Sequence, residues 1–199
     1  TLASGANAAT AGFSGTMTGS APFYLLYPYS DGCTVADGKL KFSLPQVQTV
    51  PKAGTFGQGA SPAVAVMNDD SSPAQFKNLC GVLEINLCGS GIMVDSIAVS
   101  DIAGAPLWGD CEVALDGTQG TDEQKMTVTG GSSTVILKLD KKISLKTSSA
   151  TLFEVVVPAG SFSKGFSVKI FDSTNGQIGI FSSMNTAAVI HRSKISPMN

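Results

Sequence analysis

The sequence predicts an all-β protein built from β-sandwiches, and three observations lead to that expectation. Short segments in which apolar and polar residues alternate with period two occur along much of the chain. Clusters of Gly, Pro, Asn, Asp and Ser separate these segments and are typical of turns. No segment sustains a helical period over about three turns. Many short strands separated by turn signals are typical of sandwiches or barrels.

The alternating segments predict strands in a definite order along the chain. They cover residues 12–18, 39–44, 76–87, 93–99, 111–115, 125–129, 134–139, 153–157, 166–171 and 189–195. In the segment 76–87, Leu83, Ile85 and Leu87 point to the same face, because successive strand side chains alternate between faces. We expect this face to contact the core and the segment to open the second of two sandwiches.

The polar loop of residues 68–73, which ends in Pro73, predicts a domain boundary. It separates an N-terminal domain of residues 1–72 from a C-terminal domain of residues 73–199. The C-terminal part holds about eight predicted strands, enough for a complete sandwich. The N-terminal part holds roughly four, and their apolar faces need partners. We therefore expect the N-terminal sandwich to be incomplete.

Composition excludes two classes of function. The net charge is −2, and the 13 Lys and Arg residues are scattered, which argues against a nucleic-acid-binding surface. Apolar residues make up 43% of the chain, yet no apolar run approaches the roughly 18 residues of a transmembrane helix. The chain begins Thr-Leu-Ala-Ser-Gly, without an initiator Met or a secretion signal, so we expect a processed or trimmed product.

Four cysteines leave their pairing open. Cys80 and Cys88 lie eight positions apart on one predicted strand, roughly 26 Å at full extension, whereas a disulfide needs Cα atoms within about 7 Å. Each must therefore pair with Cys33, with Cys111 or with nothing. No C-x-x-C pair and no second histidine support a zinc site. Buried free thiols or one disulfide is the favoured interpretation.

Motifs for catalysis and for metal binding are weak. Ser161 and Lys164 match S-x-x-K, but they follow Pro158-Ala-Gly160 in a predicted turn rather than opening a helix. His191, the single histidine, lies in a predicted strand. The acidic loops of residues 68–70 and 116–123 lack the ligand spacing of a known calcium loop. We expect no enzyme activity, no cofactor and no metal.

Two sets of residues are candidates for binding. Trp108, Tyr27 and Tyr29 could form a sugar-stacking platform, although packing in the core or at the rim of a sandwich is the favoured explanation. The second set shares one face of the C-terminal segment and could act as a strand donated to a neighbouring subunit: Ala187, Val189, His191, Ser193 and Ile195. The same segment could instead be the last strand of its own sandwich.

Several segments, taken in order over nearly the whole chain, resemble fimbrillin-like proteins. They include "GFSGTMTGSAPFYLLYPYSDG", "LPQVQTVPKAGTFGQGASPAVAV", "FKNLCGVLEINLCGSG", "DSIAVSDIAGAPLWGDCEVALDG", "VPAGSFSKGFSVKIFDSTNG" and "HRSKISPMN". Members of this family are secreted pilus and fimbrial subunits of anaerobic Gram-negative bacteria of the gut and mouth. No single segment contains a catalytic motif, so the resemblance depends on the order of the segments.

The resemblance implies a particular architecture and assembly. It implies two tandem transthyretin-like, Ig-like Greek-key sandwiches and an outer-membrane lipoprotein precursor that loses an N-terminal strand by proteolysis. A strand from the neighbouring subunit then fills the groove. The chain departs from the family pattern in lacking the opening strands before Thr1 and an evident C-terminal donor extension.

Two functions are therefore expected in order of preference. The first is a non-catalytic fimbrial or pilus subunit at the cell surface, whose partners are neighbouring subunits bound by strand addition. The alternative is a surface adhesin or glycan-binding module that does not polymerise and binds a host or bacterial ligand.

Overall fold

The computed structural model describes residues 15–16, 18–69, 71, 73–116, 124–172, 174, 176–182 and 186–198. Regular structure in these residues is entirely β, which confirms the predicted all-β class. The strands are β1 (Phe23–Tyr27), β2 (Thr34–Ala36), β3 (Lys39–Leu44), β4 (Val47–Val50), β5 (Ala63–Met67), β6 (Lys77–Asn78), β7 (Cys80–Leu87), β8 (Met93–Asp101), β9 (Gly109–Ala114), β10 (Met126–Thr129), β11 (Thr134–Ser144), β12 (Thr151–Pro158), β13 (Gly160–Phe162), β14 (Phe166–Asp172), β15 (Gly176–Ser182), β16 (Ala188–Ile190) and β17 (Ile195–Met198).

The described strands pair into sheets that we name by position. The five-stranded sheet has the order β15-β14-β8-β11-β4, and the four-stranded sheet has the order β10-β9-β3-β2. The central sheet has the order β12-β7-β17, and the β1 sheet has the order β1-β5-β6. Strands β13 and β16 form a separate pair. Most pairs are antiparallel, but β4 runs parallel to β11 and β17 runs parallel to β7.

The first hydrophobic core lies between the five-stranded sheet and the central sheet. From the central sheet it takes Leu83, Ile85 and Phe153, and from the five-stranded sheet it takes Ile97 and Leu137. Alternation along each strand directs these side chains to one face, as in other sandwiches. The prediction that Leu83, Ile85 and Leu87 face a core is confirmed, since Leu87 packs against the same cluster.

A second core covers the opposite face of the central sheet. Cys80 and Val82 of β7 and Val156 of β12 meet Phe42 of β3 and Val113 of β9 there. The central sheet is therefore buried on both faces over much of its length. Sequence alternation assigned only one face of β7 to a core, because Glu84 and Asn86 break the apolar pattern of the other face. The structure corrects that assignment for Cys80 and Val82.

Sheet pairing crosses the predicted boundary between residues 72 and 73. Strand β3 pairs with β9, and β4 pairs with β11, so strands from both predicted domains share two sheets. Residue 72 and Asp70 lie outside the described residues, as does most of the predicted strand at 12–18. The division into residues 1–72 and 73–199 stays a prediction, and a cut there would divide these two sheets.

Candidate functional site

The predicted donor segment is not one continuous strand. Val189 lies in β16, which pairs with β13, whereas Ile195 begins β17, which pairs with β7. Ala187 precedes β16 and is exposed, and His191 is exposed between the two strands. Ser193 has a φ of 56°, a left-handed conformation that an extended strand does not contain. The prediction of a single strand over residues 189–195 is therefore wrong, because the chain turns at Arg192 and Ser193.

A set of hydrogen bonds fixes this turn against β6, the start of β7 and the segment before β10. Arg192 Nε donates to the Asn78 carbonyl oxygen at 2.6 Å, and Arg192 Nη1 donates to the Gln124 carbonyl oxygen at 3.2 Å. The Ser193 amide donates to the Cys80 carbonyl oxygen at 3.0 Å. Sequence reasoning missed Arg192, Asn78 and Gln124, because their contacts span distant parts of the chain.

Gly81 provides the space that the C-terminal segment needs. A Cβ atom at this position would collide with the His191 carbonyl oxygen and with the Ile190 side chain. The Val82 amide next to it donates to the Lys194 carbonyl oxygen at 3.0 Å. The chain of residues 190–194 thus lies directly on β7, and only glycine permits that approach.

The candidate aromatic residues differ in exposure. Tyr27 is 62% exposed and Tyr29 is 79% exposed. Tyr27 makes an edge-to-face contact with Phe76, with ring centroids 6.3 Å apart. Trp108 is half-buried against the second core, and its Nε1 donates to Ser132 Oγ at 3.0 Å. The two tyrosines are accessible for stacking, whereas the Trp108 ring is largely used in packing.

All four cysteines are free thiols in the structure. Cys80 and Cys111 are buried, Cys33 is half-buried and Cys88 is exposed. Burial raises the pKa of Cys111 to about 11 and raises the pKa of Cys80 still further, with the nearby Cys111 as a second cause. Burial also raises the pKa of Cys33. Thiols of this kind are poor nucleophiles, because the thiolate is the reactive form.

The weak catalytic and metal motifs remain dispersed. Ser161 lies in β13 and Lys164 in the turn after it, so the two do not open a helix. Within the described residues, no group of three or more His, Cys, Asp or Glu side chains could hold a metal ion. Most of the acidic loop at 116–123 lies outside the described residues. A search of the described part of the chain for a helix suited to crossing a membrane finds none.

The outer face of the four-stranded sheet carries a shallow polar cleft of about 250 Å³. Lys41 and Ser43 of β3 lie opposite Glu112 and Asp110 of β9, and Thr129 of β10 lies beside Asp110. Lys39 forms an ion pair with Glu112, which lowers the pKa of Glu112 and raises that of Lys39. Sequence analysis predicted these strands but did not single out their outward-facing residues.

Comparison with known proteins shows a likeness of fold. No protein-family model matches the chain, and no curated protein matches it. The chain is similar to a crystal structure of a "putative cell adhesion protein" from Bacteroides ovatus ATCC 8483, with a TM-score of 0.50 and 8% sequence identity. The match covers 91% of this chain but 63% of that protein, so the chain spans less than two thirds of its length. At this identity, what the two chains share is a β-sandwich fold.

Proposed function

We propose that the chain is a non-catalytic structural subunit of a cell-surface fibre and that it assembles by exchange of its C-terminal strand. The resemblance to fimbrillin-like proteins and the fold shared with the Bacteroides ovatus protein support a role at the cell surface. The proposal includes a lipoprotein precursor, an outer-membrane-associated fimbrium, and two transthyretin-like units organised around the two cores.

The observation that carries the proposal is the position of β17. This strand has only four residues and lies at the edge of the central sheet, parallel to β7. Met198 packs against the first core, whereas Ile195 is 54% exposed. A short edge strand can leave its own sheet and make the same backbone pairing with β7 of a neighbouring subunit.

Strand exchange of this kind produces a chain of subunits. Each subunit donates β17 and accepts the β17 of another through a different surface, so the contact is head-to-tail. Head-to-tail contacts generate a filament unless the rotation between subunits closes a ring. The backbone hydrogen bonds provide affinity, and the alternate side chains of β17 provide specificity.

The first experiment compares the full chain with a variant that lacks residues 195–199. The full chain is concentrated, then run on SDS gels boiled and unboiled. We expect a ladder of oligomers in the unboiled full chain, and no ladder after boiling or in the shortened variant. A monomer band in every lane contradicts strand exchange through β17 and favours the alternative of a non-polymerising adhesin.

A peptide test isolates the pairing itself. A peptide of residues 190–199 is added to a second variant that lacks these same ten residues, and binding is followed by fluorescence anisotropy. The matched control peptide carries Met198→Asp, which places a charge against the first core. We expect the native peptide to bind and the control peptide to fail. The Gly81→Val variant should also fail to bind, because its side chain occupies the path of residues 190–194.

A further inference from the structure

The cleft on the four-stranded sheet is lined by polar side chains held in fixed positions. Ser43 Oγ donates to Asp110 Oδ1 at 2.9 Å, and Thr129 Oγ1 donates to the Asp110 carbonyl oxygen at 3.3 Å. Lys41 Nζ lies 3.2 Å from Asp37 Oδ2 and 3.8 Å from Glu112 Oε1. These contacts orient donors and acceptors before any ligand arrives, which lowers the entropic cost of binding.

One acceptor in this cleft remains available. Asp110 is exposed, and among the described residues its Oδ2 atom accepts no hydrogen bond, whereas Oδ1 is occupied by Ser43. A carboxylate oxygen can accept from two hydroxyl groups at once. Asp110 Oδ2 is therefore suited to binding a ligand that carries neighbouring hydroxyl groups.

An exposed aromatic ring lies near the cleft along the chain. Gly32 forms part of the cleft wall and belongs to a turn in which the Cys33 amide donates to the Ser30 carbonyl oxygen at 3.2 Å. Tyr29 comes immediately before this turn and is the most exposed of the large apolar side chains in the described residues. Tyr29 precedes Gly32 by three positions, at most about 10 Å along the chain, so its ring can reach a ligand bound in the cleft. An aromatic ring within reach of polar groups suits a ligand that has one apolar face and a hydroxylated edge.

Charge and size narrow the ligand class. The cleft and its border carry three carboxylates, on Asp37, Asp110 and Glu112, against the two ammonium groups of Lys39 and Lys41. This balance disfavours an anionic ligand. The volume of about 250 Å³ lies just below the usual range for drug-sized ligands, roughly 300–1,000 Å³, and suits one small ring.

We propose that this cleft binds one neutral sugar ring of a glycan. Asp110 Oδ2 accepts hydrogen bonds from two ring hydroxyl groups, Lys41 donates to a ring or hydroxyl oxygen, and Tyr29 stacks on the apolar face of the sugar. The site lies on the four-stranded sheet, whereas strand exchange uses the central sheet, so neither proposal depends on the other.

The test uses the full 199-residue chain and an array that carries neutral oligosaccharides beside their sialylated and sulfated counterparts. The neutral glycan bound best is then titrated by calorimetry. Asp110→Asn keeps an acceptor for Ser43 but replaces Oδ2 with a donor, and Tyr29→Ala removes the ring from an exposed position. We expect each change to weaken binding by roughly tenfold or more. Tyr29→Phe should retain binding, because stacking needs only the ring.

The matched control is Asp140→Asn, an exposed carboxylate on β11 in the five-stranded sheet, which should bind like the unaltered chain. Circular dichroism of every variant checks that the fold is kept. The proposal is overturned if the array shows no neutral glycan bound, if charged glycans bind better, or if Asp110→Asn and Tyr29→Ala bind normally. Because the gel and peptide experiments do not depend on this cleft, they can succeed when the array fails.

Discussion

At the scale of single residues, the buried thiols make the stability of the fold depend on pH. Cys80 of the central sheet and Cys111 of the four-stranded sheet contact the same second core. Burial raises both pKa values above the ordinary thiol value of about 8.5. Below that value the folded and unfolded chains both keep these protons. At higher pH the unfolded chain releases them first, so rising pH favours unfolding.

We therefore expect the free energy of unfolding to fall by about 2 kcal/mol per buried thiol between pH 8 and pH 10. Urea denaturation at the two pH values measures the change. The Cys80→Ala/Cys111→Ala variant should lose less stability over this interval than the unaltered chain. Cys88→Ala serves as the matched control, because it removes an exposed thiol instead of two buried ones. An equal pH dependence in the double variant would show that other groups cause the loss.

At the scale of elements, Gln48 joins two sheets through its side chain. Its Nε2 donates to the Val156 carbonyl oxygen at 2.7 Å, and the Val156 amide donates to Gln48 Oε1 at 3.0 Å. Gln48 belongs to β4 of the five-stranded sheet, and Val156 belongs to β12 of the central sheet. Gly57 passes so close to Gln48 that a Cβ atom there would lie 2.8 Å from the Gln48 Cβ. The buried Gln48 side chain thus makes both hydrogen bonds that a neighbouring strand would otherwise make with the Val156 backbone.

Gln48→Leu should destabilise the fold by about 1–3 kcal/mol, because it leaves a buried amide and a buried carbonyl of Val156 without partners. Gln48→Glu should also destabilise, since a carboxylate can accept from the amide but cannot donate to the carbonyl. Chemical denaturation measures both effects. Gln177→Leu on β15 is the control, because Gln177 is exposed. A Gln48→Leu stability equal to that of the control would show that water replaces the lost contacts.

The elements that the sequence predicts best are those with one buried face. Alternation gives the bounds of β3 at Lys39 and Leu44, and its burial alternates along those residues. Strand β5 was missed because both faces of its Ala-Val-Ala-Val stretch are covered to a large extent, so apolar residues follow one another without alternation. The turn at Ser193 was also missed, since nothing in the local pattern marks a bend that distant contacts impose.

For the candidate sites too, the sequence indicates single residues but not the contacts between residues that are far apart in the chain. Tyr27 and Tyr29 are exposed, as stacking against a ligand requires. Asp110 and Ser43 could not be brought together from sequence, because they lie 67 positions apart and meet only through the pairing of β3 with β9.

At the scale of the whole molecule, the predicted domain boundary can be tested directly. A fragment of residues 73–199 lacks β3, the strand between β9 and β2, and also lacks β4. The second core then loses Leu40, Phe42, Leu44 and Val64, which exposes part of the β7 face that packs against this core. We expect the fragment to bind the dye ANS and to unfold without a sharp transition, in contrast to the full chain.

Heteronuclear NMR spectra of the two proteins provide the second measurement. A fragment with dispersed amide signals and a cooperative melt would mean that residues 73–199 form an independent domain. That outcome would support the boundary at residue 72 and would contradict the view that the two cores depend on strands from both parts of the chain.

The central sheet pairs strands that are far apart in the chain, and this affects the order in which they become available during synthesis. Asn78 and Ser193 meet across 115 positions, so β7 leaves the ribosome well before the segment that lies on it. At roughly 5–20 residues per second, that interval is on the order of ten seconds. During this time one edge of β7 lacks its β17 partner, and an unpaired strand edge readily recruits other chains. Pairing along this edge of the central sheet is therefore among the last to form, and until then β7 is open to pairing with other chains.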